Sequence, residues 1–263
     1  MNEIFSARRL GLLLRNDLIG RYRAFLMVSA VFAALMLVGS MLNNALGQPP
    51  MGGGNSYFYA FPALLFMWGT AVASRAFTEL HAKTQNEAYL LLPASDVEKT
   101  VARLLTVTVG FFVYLLIYVT LVSWVVETLN LLLFDMQDRP FNPFDVNAAL
   151  VIGHYLVAQS IFFLGAAWFR KSHYWKTWLA LIVIGIACFA FAWLLTWLLF
   201  GQNRDGFGVS FNESELYRIY MANGPLYDAA ARALKFAYFF LLPPFCWFVA
   251  WLRVKETQVS HGV

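Results

Sequence analysis

Hydrophobic residues fall along this chain in six long runs separated by short polar stretches: about Phe25–Leu46, Tyr57–Phe77, Leu104–Val126, Ala149–Phe169, Trp178–Phe200 and Leu234–Leu252. Each run holds roughly 20 residues, the length of helix that crosses about 30 Å of hydrocarbon. Lipid offers backbone N–H and C=O groups no partner, so such a run closes its hydrogen bonds within its own helix. The pattern predicts an all-α integral membrane protein, with six transmembrane helices forming a single transmembrane domain over residues 1–263.

The polar stretches carry signals of their own. In the loop 78–103, Thr84–Arg103 reads TQNEAYLLLPASDVEKTVAR. It contains two capping-box patterns, Thr84-x-x-Glu87 and Ser95-x-x-Glu98, with Leu90–Leu92 and Pro93 between them. In each box a hydroxyl caps a backbone N–H while the Glu three residues on reaches back to the cap residue. The expectation is a short helix, a break at Pro93, and a second helix that runs into the third hydrophobic run.

Residues 2–20 mix Ile4, Phe5, Leu10, Leu12–Leu14, Leu18 and Ile19 with Arg8, Arg9, Arg15 and Asp17. Two readings stay open: an amphipathic elbow helix lying among anionic headgroups, or a basic segment that only fixes topology. In the loop 201–233, Asn212 is placed to cap a helix over about Glu213–Ala222. Gly224-Pro225 is placed to end it, and a second helix then starts at Leu226. Two Tyr-rich helical pieces here suggest interfacial or re-entrant helices before the last span, against an ordinary ordered loop. In the sixth run, Pro243-Pro244 removes two backbone donors and predicts a bend or a local unwinding.

Composition agrees with the pattern. The chain is 60% hydrophobic and 13% charged, with a mean hydropathy of +0.60, whereas about a quarter of a soluble domain is charged. The placement of the cations then orients the spans. Arg8, Arg9, Arg15, Arg21 and Arg23 precede the first span. Arg75, Lys83, Lys99 and Arg103 follow the second, Arg170, Lys171 and Lys176 follow the fourth, and Arg253 and Lys255 end the chain. The opposite side carries only Arg139, Arg204, Arg218, Arg232 and Lys235. The positive-inside rule therefore puts both termini in the cytoplasm of a multi-pass protein of the cell membrane. The arginine-rich start does not read as a cleavable signal peptide.

Candidate chemistry is sparse. No charged residue falls near the middle of a run, which argues against ion-coupled transport. Thr120, Ser123 and Gln159 are the polar residues inside spans that suit either a translocation path or a helix–helix contact, and Gln159 reads better as an interhelical hydrogen-bonding group. The acidic loop Glu127–Asn147 reads as solvated, and Cys188 and Cys246 as small apolar packing residues. No His-Glu-x-x-His and no Gly-x-x-x-x-Gly-Lys-Ser/Thr is present. The chain itself thus offers no metal site and no phosphate loop, and it reads as no enzyme.

Six spans, two cytoplasmic termini, an amphipathic start and this polar loop together resemble the permease subunits of ABC type-2 transporters. The resemblance is sharpest at Thr84, Glu87, Leu90–Leu92, Pro93-Ala94-Ser95 and Lys99. It implies a membrane-spanning subunit of an exporter that pairs with a second copy or a sister permease. A separate cytoplasmic ABC ATPase would hold ATP and Mg, and this chain would bind no cofactor. The loop after span two would hold the coupling helix, with Thr84–Leu92 docked in an ATPase groove, Ser95–Arg103 carrying motion into span three, and Lys83 and Glu87 in polar contact with the ATPase. Leu91, Leu92 and Pro93 would form its apolar anchor, and Ser95, Glu98 and Lys99 would pass motion into span three. The partners implied are that ATPase, the second permease and membrane lipids, with no nucleic acid. The competing reading is a non-transporting scaffold or sensor that anchors a cytoplasmic partner.

Overall fold

A computed structural model describes residues 6–46, 56–81, 94–135, 140–143, 146–200, 204–205, 208–209 and 213–260. Nearly all of them are helical. The helices are α1 (Ala7–Ala45), α2 (Ser56–Ser74), α3 (Thr78–His81), α4 (Asp96–Leu105), α5 (Phe111–Phe134), α6 (Val146–Trp168), α7 (His173–Phe200), α8 (Glu213–Phe236) and α9 (Leu242–Ser260). A π-turn over Thr106–Gly110 joins α4 to α5, and another over Ala237–Leu241 joins α8 to α9. Two two-residue strands, β1 (Arg204–Asp205) and β2 (Gly208–Val209), pair antiparallel between α7 and α8. Six helices are long and apolar enough to cross a membrane, as the six hydrophobic runs predict.

The boundaries differ from expectation in three places. First, α1 runs unbroken for 39 residues, about 58 Å at 1.5 Å per residue. No break separates an elbow over 2–20 from the first span. Second, α8 continues through Gly224-Pro225, with Pro225 inside the helix, where a stop and a new start were expected. A proline removes one ladder bond and costs about 3 kcal/mol in a helix interior. Ending the helix would strand several more backbone groups, four at each new terminus. Third, α5 extends to Phe134, and Glu127 is a buried position on it, 3% exposed, not a residue of a solvated loop.

At Pro243-Pro244 the sixth span neither stops nor unwinds to coil. The ladder widens into the π-turn over Ala237–Leu241 immediately before the two prolines, which moves carbonyls away from partners that proline cannot supply.

The core is built around α6, which packs between α2 and α9 and also meets α7. One apolar cluster joins Ala73, Phe77, Val107, Phe163, Ala167 and Ala250. A second joins Phe61, Leu65, Trp68, Phe111, Leu115 and Tyr155. Trp68 is the hub of the second cluster. Its ring lies 5.6 Å from Phe25, 5.8 Å from Phe32, 5.5 Å from Phe111 and 5.8 Å from Tyr114. Pairs of this kind contribute about 0.5–1.5 kcal/mol each beyond their buried area.

Glycines set the closest helix approaches. A Cβ on Gly165 would stand 2.0 Å from Thr177 Oγ1, and one on Gly69 would stand 2.5 Å from the Tyr155 hydroxyl. Gly165→Val should therefore push α6 and α7 apart and lower stability by about 1–3 kcal/mol, the range for an overpacked core. Thermal unfolding in detergent reads the loss, and adding Thr177→Ala should recover part of it.

Candidate functional site

Two parallel helices organise the end of the bundle at which α1 begins. From bottom to top, α1 pairs with the continuous helix formed by α4, the π-turn and α5. Residues 6–17 of α1 meet residues 98–103 through charge. Further up, the Tyr118 hydroxyl donates to the Ser29 carbonyl at 2.6 Å, and the Asn130 amide donates to Ser40 Oγ at 2.7 Å.

Glu98 is the lower anchor. Ser95 and Glu98 form the predicted capping box: Glu98 N–H donates to Ser95 Oγ at 3.2 Å, and Ser95 N–H donates to Glu98 Oε2 at 2.9 Å. The other carboxylate oxygen, Oε1, accepts the backbone N–H of Ser6 at 2.5 Å and lies 3.2 Å from an Arg9 guanidinium nitrogen. Ser6 is the N-cap residue of α1, and its own side chain makes no capping bond. One fully buried carboxylate thus closes the N-termini of two helices, where its negative charge meets the positive end of both helix dipoles.

Arg103 is the upper anchor, on the last turn of α4. Its side chain is 8% exposed. One guanidinium nitrogen lies 3.0 Å from Asp17 of α1, and the other bonds Glu79 of α3. The fork geometry of a guanidinium suits two carboxylates from different elements. With Glu98 it ties α4 to α1 at two points five residues apart, and its Glu79 arm adds α3.

The residues expected to couple to an ATPase divide in two. Lys83, Thr84, Glu87, Leu91, Leu92 and Pro93 lie outside the described residues, as does the first capping box. Ser95, Glu98 and Lys99 are described, and they turn inward: Ser95 caps its own helix, while Glu98 and Lys99 are buried.

The polar residues inside the spans are also not gathered into a path. Thr120 Oγ1 donates to the Leu116 carbonyl one turn back. Ser123 Oγ donates to the Thr120 carbonyl and accepts the Phe141 N–H at 3.2 Å. Gln159 is fully buried on α6, yet neither its amide nitrogen nor its oxygen has a hydrogen-bond partner among the described residues. Among the described residues Gln159 makes no interhelical bond. An unpaired buried amide costs about 1–3 kcal/mol, so Gln159→Leu, which keeps the volume, should raise the thermal midpoint in detergent. A lower midpoint would show that the amide is hydrogen-bonded in the working protein.

Cys246 is buried and Cys188 lies on the exposed face of α7; both thiols are free. Among the described residues no three His, Cys, Asp or Glu side chains converge into a metal-binding group. Sequence reasoning missed Ser6, Arg9, Asp17, Glu79 and Arg103 as a network. The available signal was opposite charge on two segments, Arg9 and Asp17 on one, Glu98 and Arg103 on the other. No family model matches the chain, and searches of curated proteins and of solved structures find no significant match.

Proposed function

We propose that this chain is the membrane-spanning subunit of an ABC exporter, driven by a separate cytoplasmic ATPase that docks on the loop 84–103. The observation that carries the reading is the double tie of α4 to α1 through Glu98 and Arg103. A force applied to the segment before Ser95 enters α4, and α4 has no joint with the third span other than the π-turn over Thr106–Gly110. Through the two anchors the same force reaches the first span. That is the mechanical arrangement a coupling element needs. It supports the motif resemblance at Thr84–Lys99 and the excess of Lys and Arg that places both termini and this loop in the cytoplasm.

In this reading the loop takes up the movement of the ATPase, while Ser95, Glu98 and Lys99 hold the receiving helix in shape. ATP and Mg belong to the partner subunit. The exposed α1 and α7 are left to lipid and to a second copy or sister permease.

The test is co-expression with candidate ABC ATPases encoded beside the gene, followed by purification through a tag on this chain. Stable co-purification is expected, with ATP hydrolysis that falls when Leu92 or Glu87 is replaced by Ala. An ATPase that never associates would refute the reading. An associated partner that shows no hydrolysis and no response to those substitutions would favour the alternative of a scaffold or sensor.

A further inference from the structure

Just above the Asp17–Arg103 pair, α1 and its partner helix part. A crevice of about 260 Å³ opens between them, its polar end marked by Asp17 and Thr106 and its walls formed by Leu18, Tyr22, Leu26, Gly110, Phe111 and Tyr114. On the partner helix the lining includes Gly110, the last residue of the π-turn, where an added Cβ would meet nothing nearer than its own helix's Leu105 carbonyl at 3.6 Å. π-turns inside α-helices recur at functional sites. The stretch from Leu18 to Leu26 covers about 12 Å at 1.5 Å per residue. Pockets for small ligands hold about 300–1,000 Å³, so this volume suits one narrow chain rather than a bulky solute.

A cation stands beside one wall residue, Tyr22. Arg23 is exposed, its Nε donates to the Tyr22 hydroxyl at 3.0 Å, and its guanidinium carbon stands 5.7 Å from the centre of that ring. Tyr22 therefore holds this guanidinium beside the wall. Leu18, Tyr22 and Leu26 are exposed on the outer side of α1, and the candidate span begins at Tyr22. Apolar walls, a cation beside them and a tyrosine on each of the two helices match an amphiphile with a single negative charge on its head.

We propose that this crevice binds an anionic phospholipid of the adjacent leaflet, with one acyl chain along Phe111 and Tyr114 and its phosphate on Arg23. The site requires only that the helices cross a membrane. The transporter reading adds just the leaflet, which it makes the cytoplasmic one.

The full chain reconstituted in vesicles of phosphatidylglycerol carrying a photoreactive acyl chain tests this. Label should concentrate on peptides covering residues 18–26 and 110–114 rather than on α7. In Gly110→Phe, which fills the crevice, labelling there should drop to the α7 level. In the surface variant Arg23→Gln the label should persist, while preference for phosphatidylglycerol over phosphatidylcholine falls about fivefold, the worth of one Arg at an anionic surface. Even labelling over all exposed helices overturns the site, and an unchanged lipid preference in Arg23→Gln overturns the headgroup contact. A disulfide between two copies bearing Leu18→Cys with Cys188→Ser, together with no label, would show that a second copy covers the crevice and would equally refute the proposal.

Discussion

Arg103→Ala should lower the stability of the protein by about 3–5 kcal/mol, the range for breaking a buried ion pair from one side. Most of that loss belongs to Asp17, since the side chains of Arg103 and Asp17 are 8% and 10% exposed and their atoms lie 3.0 Å apart. The Glu79 arm is 38% exposed, and screening by water limits it to about 0–1 kcal/mol. Two controls separate charge from shape. Arg103→Lys keeps the charge but cannot bridge both carboxylates with a planar fork, so it should fall between wild type and Ala. Asp17→Asn combined with Arg103→Met removes both charges, and buried pairs replaced together are often close to neutral. That double variant should be more stable than Arg103→Ala alone. Thermal or denaturant unfolding in detergent measures all four chains. An Arg103→Ala midpoint equal to wild type would show that the pair does not hold α4 against α1. If the transporter reading holds, the same variant should bind its ATPase and fail to couple hydrolysis to transport.

Glu98→Ala should be of similar size, but its signature should appear at a distance. The substitution leaves the first turns of α1 and α4 without their shared acceptor and leaves Arg9 without this carboxylate. Loss of the capping box alone is worth about 0.5–2 kcal/mol; loss of the charged hydrogen bonds from Ser6 and Arg9 adds about 1.5–3 kcal/mol. Amide hydrogen exchange at residues 7–10, far from Glu98 in sequence, should quicken in Glu98→Ala. Glu98→Gln offers the discriminating comparison, because Gln still serves a capping box. It should keep the first turn of α4 protected while the start of α1 exchanges faster. Unchanged exchange at residues 7–10 in both variants would sink the claim that one carboxylate closes both helices.

Both predictions concern residues that were only half visible in the sequence. The Ser95–Glu98 capping box was readable because its partners are three residues apart, and the structure has both of its hydrogen bonds. That the same carboxylate also reaches Ser6 depends on how two segments 92 residues apart lie side by side. Arg103 had the look of a topology-setting cation after span two. Only its position against Asp17 and Glu79 makes it an internal anchor. Gln159 shows the opposite failure: a polar residue in mid-span predicts a partner, and packing put apolar clusters on either side of it.

The helix ends divide along the same line. Gly224-Pro225 and the polar start of the chain look like boundaries because Pro and Gly are judged by the cost of one turn. The structure weighs whole helices, and a run that keeps every other ladder bond outlasts one missing donor. The double proline of the sixth span was likewise read as a bend or an unwinding, and it was met by a widened turn over Ala237–Leu241.

By itself, then, the sequence determined six helices long and apolar enough to cross a membrane, and one capped helix start. Those follow from burial in lipid and local hydrogen bonding, which act within a run or a turn. The tertiary structure alone decided that α1 and the α4–α5 helix lie side by side, which charges meet between them, and where a crevice opens along them. Those outcomes depend on the relative register of helices, and no energy confined to one segment specifies it.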